Sequence, residues 1–297
     1  MPESPEVQAL ADELAARLVG RAIAAVDVLE FRVTKTRARP LTSLVGERVT
    51  GVARHGKLVA VAFDGSEHLV VSLGRHGWAR WRAQGEAEAA QSPQPEPGAS
   101  PDQGQPEPPP PALVVIEFDE GPAFELTDAG GWVSLGGWVV DEPVEVPAIA
   151  GLGPDPADPG FTRADFDRAF AGRRKQVKAI LQEQESLAGI GNAYSDEILH
   201  AARVSPVAHA ATLGAEDHDR LFAATVDVVR SAIAERRGIP IDRQKQVKVA
   251  SMRAHGRAGE ACPRCGDAIR DFTFASTTAQ YCPTCQTGGE VLPLKGA

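Results

Sequence analysis

Between residues 5 and 19, apolar side chains fall at Val7, Leu10, Leu14 and Leu18, at spacings of three, four and four. That period predicts an amphipathic helix, with Gly20 placed to end it. The next apolar runs are shorter and lie at 23–29, 49–52, 58–63, 69–73, 113–118 and 132–140. Short runs separated by turn residues predict the strands of a sandwich or barrel-like domain. From residue 162 the helical period returns. Thr162 is placed to cap a helix running to Phe170. Further helices are predicted over 174–187, 193–203 and 215–236, with Arg203-Val204-Ser205-Pro206 stopping the second of these.

Residues 83–112 break the pattern with nine prolines, five acidic residues and no basic ones. Such a stretch cannot bury enough apolar surface to offset the entropy of ordering it. It reads as a disordered insertion between two strands, because strand-like sequence resumes beyond it. An inert linker fits this composition better than a partner-binding arm.

The chain's 297 residues suffice for two domains with cores of their own. No apolar run reaches the roughly 18 residues of a membrane span, and the N-terminus lacks a signal-peptide pattern. A cytoplasmic protein is therefore expected. The net charge of -9 argues against nucleic acid, but its distribution matters more than its sum. Residues 230–270 hold ten Lys or Arg against four Asp or Glu, and Arg173, Arg174, Lys175 and Lys178 form a second cluster. Taken alone, such clusters are as consistent with solvated helix faces as with a binding surface.

That second cluster precedes Gly189-Ile190-Gly191-Asn192, which reads as a tight turn feeding a helix with Tyr194, Ile198 and Ala202 on one face. Gly191 permits close approach of another group. Free N–H groups at a helix start form an anion site, to which Asn192 adds a side-chain donor. A lone Gly-x-Gly fits a ligand-free helix start better than a site, so its meaning depends on the rest of the chain.

The four cysteines settle more. Cys262-Pro263-Arg264-Cys265 and Cys282-Pro283-Thr284-Cys285 are two Cys-x-x-Cys pairs separated by 16 residues. Two such knuckles complete a tetrahedron of thiolates around one structural zinc, with no position left for catalysis. The strand-like stretch 268–274 between them predicts a zinc-ribbon hairpin, stabilised largely by its metal. With a basic zinc hairpin and an anion-ready turn in one chain, nucleic acid becomes the leading partner.

Pro2 supplies the chemistry. Removal of an initiator methionine before proline leaves a secondary amine, and an α-amino group titrates near about 7.7–8.0. Attack of that amine on a sugar C1′ gives an iminium. Glu3 beside it has the right chemistry for a general acid or base. On residues 2 and 3 alone, a plain helix start remains the better explanation.

Pro2-Glu3-Ser4-Pro5-Glu6-Val7, Gly56-Lys57, Leu152-Gly153-Pro154-Asp155-Pro156, the glycine turn with Asn192 and the two cysteine knuckles occur in one order. In that order the chain resembles the formamidopyrimidine-DNA glycosylase / endonuclease VIII family over nearly its whole length except 83–112. The resemblance implies an α+β fold of two domains. An N-terminal helix with a β-sandwich (1–150) carries catalysis; a helix–two-turn–helix domain (151–250) and a zinc finger (251–297) follow. It also implies Pro2 as Schiff-base nucleophile, Glu3 as the acid that opens the deoxyribose, and Lys57 as a phosphate contact assisting β-elimination. Arg75, Lys178, Gly191 and Asn192 are the expected DNA contacts, and Cys262, Cys265, Cys282 and Cys285 the zinc ligands. The expected partner is damaged double- or single-stranded DNA, met by a monomer associated with the nucleoid.

Three positions depart from the family pattern. The turn Leu73-Gly74-Arg75-His76-Gly77 has arginine where the family has a methionine that fills the gap left by the evicted base. The loop probing the opposite strand has no arginine, leaving Leu135 or Trp132 as the candidate wedge. Thr277 stands where the zinc hairpin carries a phosphate-gripping arginine, and threonine cannot replace its bidentate contact. Residues 237–257 are also short for a lesion-capping loop. The expected activity is base-excision repair by a bifunctional glycosylase and abasic-site lyase. The alternative is a damaged-DNA-binding protein of the same fold with weak or no glycosylase activity.

Overall fold

The computed structural model describes residues 1–82, 109–274 and 277–292. Most of the insertion anticipated at 83–112 lies outside the described residues. The chain forms two compact units: one holds 18–51 and 61–142 together with Met1, the other 2–17, 52–60 and 143–297.

The strands between residues 23 and 140 form two four-stranded sheets, those of the β-sandwich domain. One four-stranded sheet has the order β1 (Ile23–Val28), β6 (Ala112–Phe118), β7 (Ala123–Asp128), β5 (Gly77–Arg82). The other has the order β2 (Val49–His55), β3 (Leu58–Phe63), β4 (His68–Ser72), β8 (Gly136–Val140). Strands β5 and β7 have no counterpart among the apolar runs of the sequence. All six residues of β7 are buried, yet three of them, Glu125, Thr127 and Asp128, are polar. Glu125 is tolerated because Arg80 and Arg82 of β5 meet it at 2.6 and 3.0 Å. A strand whose buried face is ion-paired escapes a search for alternating apolar residues.

In the second unit, α1 (Ser4–Leu18) follows the predicted stripe, with Val7, Leu10 and Leu14 buried. After the short α2 (Pro147–Ala150), α3 (Arg163–Phe170) begins with the expected cap. Thr162 and Asp165 form a reciprocal capping box there. The predicted helix 174–187 shrinks to α4 (Val177–Gln182). Its expected last turn serves the glycine turn instead: the Gln184 amide donates to Ile190 O at 2.8 Å and accepts from Gly189 N at 2.9 Å. Next come α5 (Asn192–Ala202) and α6 (Ala215–Arg236), whose Tyr194, Ile198, Leu199, Leu221 and Val229 lie in one buried core. Helix α7 (Gln244–Ser251) was visible in the sequence only as a basic run. Strands β9 (Arg270–Phe274) and β10 (Thr277–Tyr281) form the expected hairpin, and α8 (Pro283–Gln286) closes the second knuckle.

Candidate active site

The site is assembled around the first turn of α5. Glu3 is the residue before α1; its carbonyl accepts the first helical bond, from Val7 N, while its side chain points away from that helix. The buried Glu3 carboxylate accepts from the N–H groups of Gly191 (2.5 Å), Ala193 (2.9 Å) and Tyr194 (3.3 Å). An anion at a helix start is favoured by these unsatisfied donors and by the helix dipole. The turn therefore binds an anion, but the anion is a carboxylate of the chain itself. Gly191, expected as a DNA contact, has its N–H engaged by Glu3. Its glycine identity follows from space: a Cβ there would lie 2.7 Å from Glu3 Cδ. Gly189 is required doubly, by φ of +87° and by contact with Ser4.

Among the described residues, the Asn192 backbone N–H has no hydrogen-bond partner, and neither has that of Ile190. Gln182 Nε2 donates to Asn192 Oδ1 at 3.2 Å, which fixes the amide so that Nδ2 remains available. Lys178 is placed differently from expectation. It is 5% exposed, and its ammonium is spent on Asp196 Oδ1 (2.5 Å), Ser195 Oγ (3.0 Å) and Asn192 O (3.3 Å). A lysine so enclosed ties α4 to the first turn of α5. Arg173 and Lys175 of the same cluster both pair with Glu183, leaving Arg174 exposed.

Lys57 sits in the two-residue turn joining β2 and β3, where Gly56 has φ of +56°. Arg54 braces that turn through Gly56 O (2.9 Å), Asp155 Oδ2 (2.5 Å) and Ser4 Oγ (3.2 Å). Among the described residues, the Lys57 ammonium has no hydrogen-bond partner. Burial lowers its pKa below the usual lysine value; the charge of Glu3 opposes the shift, and that of Lys248 reinforces it.

Beneath these residues lies a charged cluster that the sequence reading missed. Glu6 Oε2 accepts from Glu3 N (3.0 Å) and Lys248 Nζ (2.7 Å), while Oε1 accepts from Tyr194 Oη (2.9 Å). Arg236, fully buried, brings Nε to 3.1 Å from Glu6 Oε1. That approach is off the line of a hydrogen bond, so the contact is an ion pair and Nε has no hydrogen-bonded partner. Lys248 also lies 3.8 Å from Glu3 Oε1 and 5.1 Å from the Tyr194 ring centroid. Burial and the charge of Glu6 raise the Tyr194 pKa, so its hydroxyl stays a donor. One signal was available: Glu at the cap and Glu three residues on is half of a capping box. Nothing in the spacing of Arg236 and Lys248 connects them to residue 6.

Arg75 and Trp132 belong to the first unit, on two loops joined by buried Asp128. Its Oδ2 accepts from Ser134 N and Oγ (both 2.8 Å) and Leu135 N (3.2 Å), and its Oδ1 from Gly130 N (2.8 Å). Ser134 Oγ in turn accepts from Arg75 N at 2.9 Å. Burial opposes ionisation of Asp128, but these donors outweigh it and hold the carboxyl below the usual carboxylate range. Trp132 is 83% exposed, whereas Leu135 is completely buried. Leu135 is therefore a core residue and no wedge, which leaves Trp132 as the exposed aromatic of the pair. The Arg75 guanidinium has no partner among the described residues.

The four cysteine sulfurs lie within 4.8 Å of one another. Asp267 ties the knuckles together, accepting from Ala268 N (2.7 Å) and Thr284 Oγ1 (2.8 Å). Thiolates alone, at this mutual spacing, fit one closed tetrahedral zinc.

Family models match consecutive parts of the chain: the formamidopyrimidine-DNA glycosylase N-terminal domain over 1–131, the H2TH domain of the same enzymes over 152–242, and the zinc finger found in FPG and IleRS over 259–288. Fold and site together define a helix–two-turn–helix DNA glycosylase with a structural zinc finger. A formamidopyrimidine-DNA glycosylase of Mycolicibacterium paratuberculosis is 32% identical over 300 residues, covering 96% of this chain and 98% of that one. An uncharacterized formamidopyrimidine-DNA glycosylase-like protein of Mycobacterium tuberculosis is 41% identical over 146 residues, 49% of this chain and 91% of its own. The crystal structure of MutM (Fpg) from Thermus thermophilus superposes with a TM-score of 0.76 at 26% identity, covering 96% of this chain and 99% of that one. A MutM in complex with DNA containing carbocyclic 8-oxo-G shares the fold, with a TM-score of 0.78 at 23% identity and the same coverage. The chain belongs to the formamidopyrimidine-DNA glycosylase family.

Proposed function

We propose that the chain is a bifunctional DNA glycosylase and abasic-site lyase of base-excision repair, with Pro2 as nucleophile once Met1 is removed. The observation that carries this reading is the Glu3 carboxylate seated on the start of α5, with Pro2 next to it and an unpartnered Lys57 amine in the same compact unit. The Pro2 nitrogen forms a bond to C1′ of the damaged nucleotide as the bond from C1′ to the base breaks. Glu3, oriented by three N–H groups, manages the proton as the sugar ring opens to the iminium. A base then takes the C2′ proton and the C3′–O bond breaks. Lys57, whose depressed pKa makes its neutral form accessible, suits that step. The Asn192 amide and its backbone N–H are the proposed phosphate contacts, and Arg75 and Trp132 the proposed duplex contacts. Phosphate contacts are indifferent to sequence, as repair requires. Lys178 and Gly191 act indirectly, by holding the first turn of α5. With threonine at 277, the first elimination is the expected end point, and abasic or single-stranded sites the preferred substrates.

The test is a panel of single- and double-stranded oligonucleotides carrying an abasic site or one of several base lesions. Strand nicking with a β-elimination end is expected. A lesion-dependent mobility shift with no product on any substrate would replace this reading with damaged-DNA binding alone.

A further inference from the structure

One buried histidine has no place in the chemistry above. His200 stands near the end of α5, and its Nε2 lies 3.2 Å from Cys262 Sγ, with both side chains buried. The cluster of mutually adjacent ligand atoms contains the four sulfurs and not His200, so the imidazole faces one sulfur from outside the tetrahedron. We propose that His200 donates its Nε2–H to the zinc-bound thiolate of Cys262, and thereby sets how firmly the metal is held and how the finger is seated on α5.

The chemistry is one-sided. A metal-bound thiolate carries no proton, so across this distance it can only accept, and the imidazole must donate. Four thiolates on one Zn²⁺ leave the centre with a net charge of about -2, which an N–H donor disperses. Outer partners of this kind typically change metal affinity by about 10–100-fold. The position on α5 adds a second argument. Asp196, Glu197 and His200 share a helix face at spacings of three and four. Asp196 meets His255 Nδ1 at 2.8 Å, and Glu197 accepts from the N–H groups of Arg253, Ala254 and His255 at 2.9 Å each. His200 is the next contact along that face, reaching the first zinc ligand. Gln286, beside the fourth ligand, donates to Val204 O at 2.9 Å just past the end of the same helix. The helix that holds Glu3 at its start thus holds the zinc finger at its end.

The test compares zinc transfer from the purified holoprotein to a chelating dye in His200→Phe and His200→Gln. Phenylalanine fills the space without a donor, whereas glutamine places an amide N–H near the position of Nε2. About 10–100-fold faster release from His200→Phe is expected, with His200→Gln close to wild type. Wild-type release from His200→Phe, or equally fast release from both variants, would overturn the proposal. Should His200→Phe fail to fold, the wild-type protein loaded with ¹¹³Cd decides. Scalar coupling between the His200 imidazole proton and the metal is expected, and its absence from a resolved proton signal overturns the assignment.

Discussion

The start of α5 and the paired loops around Asp128 solve the same problem differently. Both are organised by a buried carboxylate that gathers N–H groups: Glu3 takes three, and Asp128 takes three N–H groups and a hydroxyl. At α5 the surrounding side chains are also buried and charged, with Glu6, Arg236 and Lys248 compensating one another. At the loops the carboxylate holds backbone N–H groups and one serine hydroxyl, with no charged partner, and the side chains displayed, Arg75 and Trp132, have no partner among the described residues. The first arrangement suits reacting groups that must not move. The second suits a rigid edge whose exposed side chains are exchangeable.

This contrast can be broken by experiment. Its largest expected effect comes from Gly191→Ala. The new Cβ would meet Glu3 Cδ at 2.7 Å, so the carboxylate must leave its three donors. A fall of about 10²-fold or more in nicking rate is expected, since a displacement of about 1 Å can cost that much. Single-turnover kinetics on abasic DNA measure it, and an unchanged rate would mean that the seating of Glu3 is irrelevant.

Next in size is Glu6→Ala. It strands Arg236, which is completely buried, and should cost about 3–5 kcal/mol in a denaturant unfolding curve. Glu125→Ala in β7 tests the contrast. Its partners Arg80 and Arg82 are 34% and 19% exposed and can turn to water, so the smaller loss is expected there.

Lys57→Arg separates charge from proton transfer. The depressed lysine pKa means that the neutral amine, and the elimination rate that depends on it, grows in as pH rises and levels off below the usual lysine range. Arginine keeps the charge but does not deprotonate, so that rise should vanish and the plateau rate should fall by about 10²-fold. A pH profile of β-elimination checks both.

The smallest effect is expected from Trp132→Ala. Stability should move by no more than about 0.5 kcal/mol, as for an exposed site. Binding to duplex abasic DNA should weaken several-fold relative to single-stranded DNA. Equal binding of both by wild type and variant would remove Trp132 from the duplex contacts.

How much of this was legible in the sequence follows from what each residue is compensated by. Helix α1, the glycine turn and the cysteine knuckles announce themselves because local spacing dictates them. Strand β7 does not, because Glu125 and Asp128 are made tolerable by partners 43 to 45 residues away for the one and by a later loop for the other. Lys248 and Arg236 reach Glu6 across more than 200 residues of sequence, so no window could connect them. Lys178 shows the converse case. A basic cluster suggests a DNA face, but Asp196, one turn into α5, claims that lysine for the interior.

The central claim is that the amine of Pro2 becomes covalently joined to the sugar. Borohydride trapping on abasic DNA tests it most directly, comparing protein whose mass shows that it begins at Pro2 with protein that retains Met1. A one-to-one adduct from the first and none from the second is the predicted result. Equal trapping by the Met1-blocked protein would contradict it.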